Sequence, residues 1–421
     1  MARSPLTLAA SVTSALPGAV VVGAAALSEG ASGRYDSAVA TLHDGAKVVI
    51  RVPIDAAAEN DLRSDARALG ALTQGVRSVL PFHAPFVVGE TTVDGRHAVV
   101  QTWSPGYRVD AAHVPPGPGV ASALGTAIAA VHALPASIVR DAGLPLLSAA
   151  QVRDEAERLL DRCEATGLLP FGLLRRWSTA LGSDALWRFE STVTAGGVDP
   201  ASFLFEDDAQ GVPRVTGLLH WGGLSVGDPA KDLRWLASAP DARTAVLDAY
   251  TDAASHAPDA ALWERARLHA ELEFAAWLVQ GHEAGAETVV ADAVGLLEAL
   301  DESVRDAPPL AQESITVDDA IAALGRVASD TATVDTSMQT DTYDAEALGE
   351  YTADDAEPAA PGSADEETAP LEWEGWADTG TSGPGATTGG TPHRSEPDTE
   401  PRDEDIDEAA RNALRRWTES A

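Results

Sequence analysis

One cysteine, Cys163, occurs in 421 residues. An internal disulfide framework and a multi-cysteine metal site are both excluded. Cys163 sits in the helical pattern "RDEAERLLDRCEATG" and reads as a small core residue; thiol scarcity fits a reducing compartment, so a cytoplasmic protein is expected. Aromatic residues are scarce at 5%. Basic residues are few as well: 29 Lys and Arg face 65 Asp and Glu, a formal net charge of −36. Such a surface repels nucleic acid and anionic lipid, so neither is an expected partner. No stretch approaches the roughly 18 unbroken apolar residues of a membrane-crossing helix. The opening "MARSPLTLAASVTSALPGAVVVGAAALSEG" is apolar, but its only basic residue is Arg3 and Pro17 interrupts it. It reads as the approach to a Val-rich strand rather than as a secretory signal.

What is present is a globular composition, 45% apolar, long enough for two or three compact units. Residues 1–105 read as a β-rich lobe. "YDSAVATLHDGAKVVIRVP" turns at Asp44-Gly45, and "FVVGETTV" and "RHAVVQTW" turn at Asp94-Gly95, both hairpin signals. Between them, residues 56–76 space Leu62, Ala66, Leu69 and Leu72 at helical intervals. Residues 106–306 turn helical, with "GVASALGTAIAAVHALP", "SAAQVRDEAERLLDRCEATG" capped by Ser148, "DPAKDLRWLASA" and three later helices, interrupted by one strand pair. This is an α+β, two-lobed plan. Beyond residue 306 the composition becomes polar and acidic: 30 of the acids lie past residue 300, facing seven Lys or Arg. Segment 307–421 cannot bury enough apolar surface to offset ordering entropy and is expected to be largely disordered. Helical patterns remain at 316–328 and at 405–417, the latter with acids early and Arg late, as the helix dipole prefers.

The stretches "TAGGVDPASFLF" and "VTGLLHWGGLSVGDPAKDLRWL" are the most informative. Together with the order of elements before them, they resemble the aminoglycoside and macrolide phosphotransferase family, from about residue 20 to about residue 300. That resemblance implies a protein-kinase-like fold. The family pattern reads H-G-D-L-H-P-G-N, then two short strands, then I-D-W-G…G-D-P-A-x-D-L. Pro200, Trp221, Gly227, Asp228, Pro229, Asp232 and Leu233 match it, an intact structural frame in which Asp228 is expected to brace the catalytic loop. Ala195 stands where the family has His, Gly197 where it has the catalytic base Asp, Ser202 where it has a metal-binding Asn, and His220 where it has the second metal-binding Asp. Glycine cannot accept a proton, and histidine suits a hard cation such as magnesium poorly.

The resemblance implies ATP as the cofactor, while the loss of these residues puts magnesium in doubt. On the nucleotide side, Arg51 stands in the place of the strand cation, paired with Asp65 of the following helix; an ordinary ion pair is the alternative. Gly30 and Gly33 could let backbone approach phosphate or form a plain turn. Trp103 is placed at the hinge beside adenine, with a core role as its alternative. His132 reads as a structural hydrogen-bonder, and Asp199 as the one carboxylate able to replace the lost base. The leading expectation is a pseudokinase acting as a binding or scaffold module. It would engage a small molecule in the helical lobe or a protein through its acidic tail. The alternative is an active small-molecule phosphotransferase or nucleotide transferase with a rearranged centre.

Overall fold

In the computed structural model, the described residues are 3–27 and 33–310. Gly30, the acidic tail and its helical patterns at 316–328 and 405–417 lie outside them. The β-rich lobe starts with a helix that the sequence reading missed, α1 (Pro5–Ala15). Ser4 caps it by accepting from the amide of Thr7, Pro5 fits its first turn, and Leu8, Ala9 and Val12 are buried against the sheet. Its polar face, Thr7, Ser11 and Ser14, carries small hydroxyls and no charge, so it does not stand out from the apolar run around it. There follow β1 (Val21–Ala26), β2 (Tyr35–Leu42), β3 (Lys47–Pro53), α2 (Ala56–Ala71), α3 (Gln74–Val79), β4 (Val87–Val93) and β5 (Arg96–Thr102). The strands form one sheet in the order β1-β2-β3-β5-β4, antiparallel throughout. Its turns fall at Asp44-Gly45 and Asp94-Gly95, as expected. The helical pattern at 56–76 is interrupted, because Thr73 caps the separate α3.

The helical lobe contains α4 (Val120–His132), α5 (Ser137–Asp141), α6 (Ala149–Ala165) and α7 (Phe171–Gly182). Ser148 and Gln151 close a capping box on α6. Four short strands follow, β6 (Thr192–Thr194), β7 (Phe203–Asp207), β8 (Pro213–Leu218) and β9 (Ser225–Gly227), with β7 paired to β8 and β6 to β9. The lobe closes with α8 (Arg243–Ala253), α9 (Leu262–Ala284) and α10 (Glu287–Ser303). Pro229–Ser238, expected as an α-helix, is a run of 3-10 turns instead. Ala230, Asp232, Leu233, Trp235 and Leu236 are all buried there, and such burial on several sides outweighs α-helical propensity.

One apolar cluster runs from Leu69 of α2, and Leu72 just past its end, to Leu124 and Ile128 of α4 and on to Trp221. It joins α2 of the sheet lobe to the helical lobe. Within it, α4 and α8 approach closely at Gly125, where a β-carbon would overlap the carbonyl oxygen of Val246 and lie 2.9 Å from the amide of Tyr250. Backbone cannot yield as a side-chain tip can. Gly125→Ala is therefore expected to destabilise the body by about 1–3 kcal/mol, read as a lower denaturation midpoint at unchanged m-value.

Candidate functional site

β3 and α2 supply one wall of a cleft of about 500 Å³ between the lobes. Arg51 on β3 and Asp65 on α2 are both buried and lie 3.8 Å apart between Nη1 and Oδ2. Asp65 also accepts from the backbone amide of Trp221 at 2.7 Å and from Nε2 of Gln101 at 3.3 Å. The carboxylate thus ties α2 to the loop that follows β8. At the mouth of the cleft, Arg34 pairs with Asp61.

The opposite wall comes from the two loops that carry the altered motif. Ala195, Gly197, Ser202 and His220 all line this cleft with Arg51 and Asp65, so positions far apart in the chain are brought together. Trp103 does not line it: its amide donates to the carbonyl of Lys47 at 3.2 Å, and Lys47 Nζ lies 4.6 Å from its ring centroid. Asp199 is also absent from the lining. It caps the short turn Pro200–Ser202 by accepting from the amide of Ala201 at 2.9 Å. The side chain is exposed, yet desolvation by the loop around it raises its pKa; Asp110 and Glu273 add to the rise, and the amide of Ala201 and Arg234 oppose it. Gly33, two residues before β2, has φ +54°, and Gly30 lies outside the described residues.

The glycines make the two loops touch. Gly196 has φ +89°, and a β-carbon there would overlap the carbonyl oxygen of Gly223. A β-carbon on Gly223 would in turn lie 2.8 Å from the carbonyl oxygen of Ala195. Gly197 has φ +95°, and its β-carbon would overlap Nη1 of Arg234 and lie 2.6 Å from Cζ. The guanidinium of Arg234 therefore occupies the space into which a side chain at position 197 would grow. It is held there by Glu273 at 2.5 Å. Arg234 is a residue the sequence reading missed; it stands 37 positions from Gly197, and only a basic residue inside "GDPAKDLRW" hinted at it.

The loop frame is held by Asp232, which corrects the expectation placed on Asp228. Asp232 accepts from the amides of Ala195 at 2.7 Å, Gly197 and Val198 at 3.4 Å, and bonds Nε2 of His132 at 3.1 Å. His132 joins Tyr250 at 2.8 Å on its other nitrogen, the structural role expected of it. Burial opposes ionisation of Asp232, but His132 and the loop amides outweigh it and leave its pKa lowered. Asp228 faces the other way: it caps Ala230, and bonds Arg265 and His269 beneath the 3-10 segment. The Glu206-Asp207-Asp208 run lies on the exposed β7–β8 hairpin, where Asp207 accepts from the hydroxyl of Tyr107 at 2.6 Å.

His220 keeps an open face toward the cleft, yet the surrounding walls and the charges of Arg51 and Arg108 lower its pKa to about 4. The ring is neutral at pH 7. The folded protein therefore binds fewer protons here than the unfolded chain, whose histidine titrates near 6.5. Stability from this site is present above pH 6.5 and is lost as the pH falls from there toward 4. In a His220→Asn variant that part of the acid dependence is expected to disappear from a denaturation series, while stability at pH 7.5 stays within about 0.5 kcal/mol.

His220 and Ser202 would have to hold a divalent cation if the family's chemistry operated here. A neutral imidazole fits magnesium poorly, and the hydroxyl of Ser202, although an oxygen donor, brings none of the carboxylate charge that usually holds the ion. Among the described residues no group of three or more His, Cys, Asp or Glu is placed to hold a metal, and no helix there is long and apolar enough to cross a membrane.

The geometry agrees with what related proteins show. Residues 24–269, more than half of the chain, match the phosphotransferase enzyme family. Among solved structures, the apoenzyme of macrolide 2'-phosphotransferase MphH from Brachybacterium faecium is similar at a TM-score of 0.53 and 23% identity, covering 66% of this chain and 89% of that one. The GDP complex of wild-type aminoglycoside 2'-phosphotransferase-IIIa is similar at 0.57 and 18% identity, covering 71% and 99%. A GDP and kanamycin complex of APH(2")-IIIa gives 0.56 and 18%, with the same coverage. At these identities the likeness is one of fold. No curated protein sequence matches the chain. With a sheet lobe and a helical lobe in the kinase-like arrangement, and with the family match running over more than half of its length, this chain belongs to the phosphotransferase enzyme family.

Proposed function

We propose that this chain is a pseudokinase: a phosphotransferase-family protein that binds ligands and no longer transfers phosphate. The observation that carries the reading is the guanidinium of Arg234 against the α-carbon of Gly197, where the family resemblance calls for the base carboxylate. A cation in that place neither accepts nor orients the proton of an attacking hydroxyl. The Gly196–Gly223 backbone contact adds to this, because it brings together the two loops that would otherwise frame the metal. Arg51 supports nucleotide binding: it lines the cleft, is permanently charged, and forks well onto phosphate. The solved relatives named above with GDP make a nucleotide the natural occupant to test. The acidic segment beyond residue 300 would serve as an arm for a cationic protein partner, in a cytoplasmic setting.

The test uses the full chain. Calorimetric titration with ATP and with GDP is run in magnesium and in a chelator, beside a product assay with kanamycin and a macrolide. Nucleotide affinity is expected to be the same with and without the metal, and no phosphorylated product should form. Turnover at ordinary enzymatic rates would overturn the reading. The rival, an enzyme with a rearranged centre, rests on Asp199 and its raised pKa. It requires that any detected activity be lost in Asp199→Ala.

A further inference from the structure

Behind the altered loop lies a second pocket of about 260 Å³, between α6, α9 and the Pro229–Ser238 segment. It shares no lining residue with the cleft. Gly197 faces the cleft, Arg234 lines the pocket, and the two abut. The Gly196–Gly223 backbone contact closes the wall beside them. With the guanidinium of Arg234 and the Gly196–Gly223 contact between them, the pocket and the cleft are separate compartments, and a ligand in one need not displace a ligand in the other.

Its lining defines the ligand. Val152, Ala156 and Leu159 of α6 and Leu272 of α9 supply an apolar wall. The Pro229–Ser238 segment supplies two cations, Lys231 and Arg234. Glu273 takes up the charge of Arg234, and Arg265 and His269 take up that of Asp228. Lys231 makes no ion pair among the described residues. Glu155, exposed on α6, disfavours a second negative charge at the rim. The volume falls just below that of ordinary drug-sized sites, which start near about 300 Å³, so the body is small.

We infer that this pocket is a binding site for a small amphiphilic monoanion, an organic carboxylate whose apolar body lies on α6 and α9 and whose charge meets Lys231. The inference rests on the reading of the chain as a non-transferring member of its family, and it adds a second ligand that is not a phosphoryl acceptor.

Three probes of one shape and different charge test it on the full chain: 4-phenylbutyrate, 4-phenylbutyramide and 4-phenylbutylamine. Calorimetry or protein-detected NMR should show the acid binding at least about fivefold more tightly than the amide, with the amine weakest. ATP should leave the affinity for the acid unchanged within about twofold, since the sites are separate. Lys231→Gln, an exposed change that spares the fold, should weaken the acid by about fivefold while leaving the amide unaffected. Equal or better binding of the amine, displacement of the acid by ATP, indifference to Lys231→Gln, or no binding of any probe would overturn the inference. Transfer of phosphate to kanamycin would instead overturn the pseudokinase reading, whatever the probes do.

Discussion

Arg265→Ala should lower the stability of the body by about 3–5 kcal/mol, the range for removing one partner of a buried ion pair. The side chain is fully buried, and so is Asp228. Nε of Arg265 donates to Asp228 at 2.9 Å, Nη1 and Nη2 donate to Asp259 at 2.6 and 2.8 Å, and Nη1 reaches the carbonyl of Leu186 at 3.1 Å. The guanidinium lies 4.3 Å from the ring centroid of Phe189. Removing it leaves the fully buried Asp228 with the amide of Ala230 and His269 as its partners, and leaves the partly exposed Asp259 without its ion pair. Burial opposes ionisation of Asp228, but His269 and Arg265 outweigh it and lower its pKa, so the carboxylate stays charged and its loss of a partner is felt in full. Arg265→Lys should recover only part of the loss, since an ammonium cannot fork onto Asp228 and Asp259 together. Asp228 begins the 3-10 segment and Asp232 sits one turn later, so the altered loop should loosen with it. Chemical denaturation gives the first effect, and amide exchange at Ala195 and Gly197 gives the second. A loss below about 1 kcal/mol would mean that the cluster behaves as a solvent-screened pair.

Gly197→Asp, which restores the family's carboxylate, should yield no phosphoryl transfer. A restored general base in a competent site is worth about 10²–10⁴-fold. Here the new side chain meets Arg234 and pairs with it, at a backbone angle of φ +95° that aspartate tolerates only with strain. The altered residues at Ser202 and His220 also remain. The expected result is product formation unchanged within about tenfold of background. The double variant Gly197→Asp with Arg234→Ala frees the carboxylate and still lacks the metal ligands, so it too should stay silent. Activity in the single variant would show that Arg234 yields to a substrate, and would return the chain to the enzymes.

The hairpin turns, the helices α2, α4 and α6, and the changed residues at 195, 197, 202 and 220 could be read from the linear chain. Turn chemistry, 3.6-residue spacing and motif order are local signals, and local signals survive without coordinates. The sequence by itself also determined that positions 195, 197, 202 and 220 carry neither a carboxylate nor a carboxamide, because that is a question of which atoms a residue carries. What stands in their place was decided only by tertiary structure. Arg234 fills the space beside Gly197, Asp232 and not Asp228 holds the loop, and Gly196 packs on Gly223, each through contacts between residues some 27 to 37 positions apart. The 3-10 form of Pro229–Ser238 escaped for the same reason, burial against neighbours distant in the chain, whereas α1 escaped because its weakly polar face hid inside an apolar run. Distances between remote residues follow from packing, and packing is a property of the folded chain as a whole.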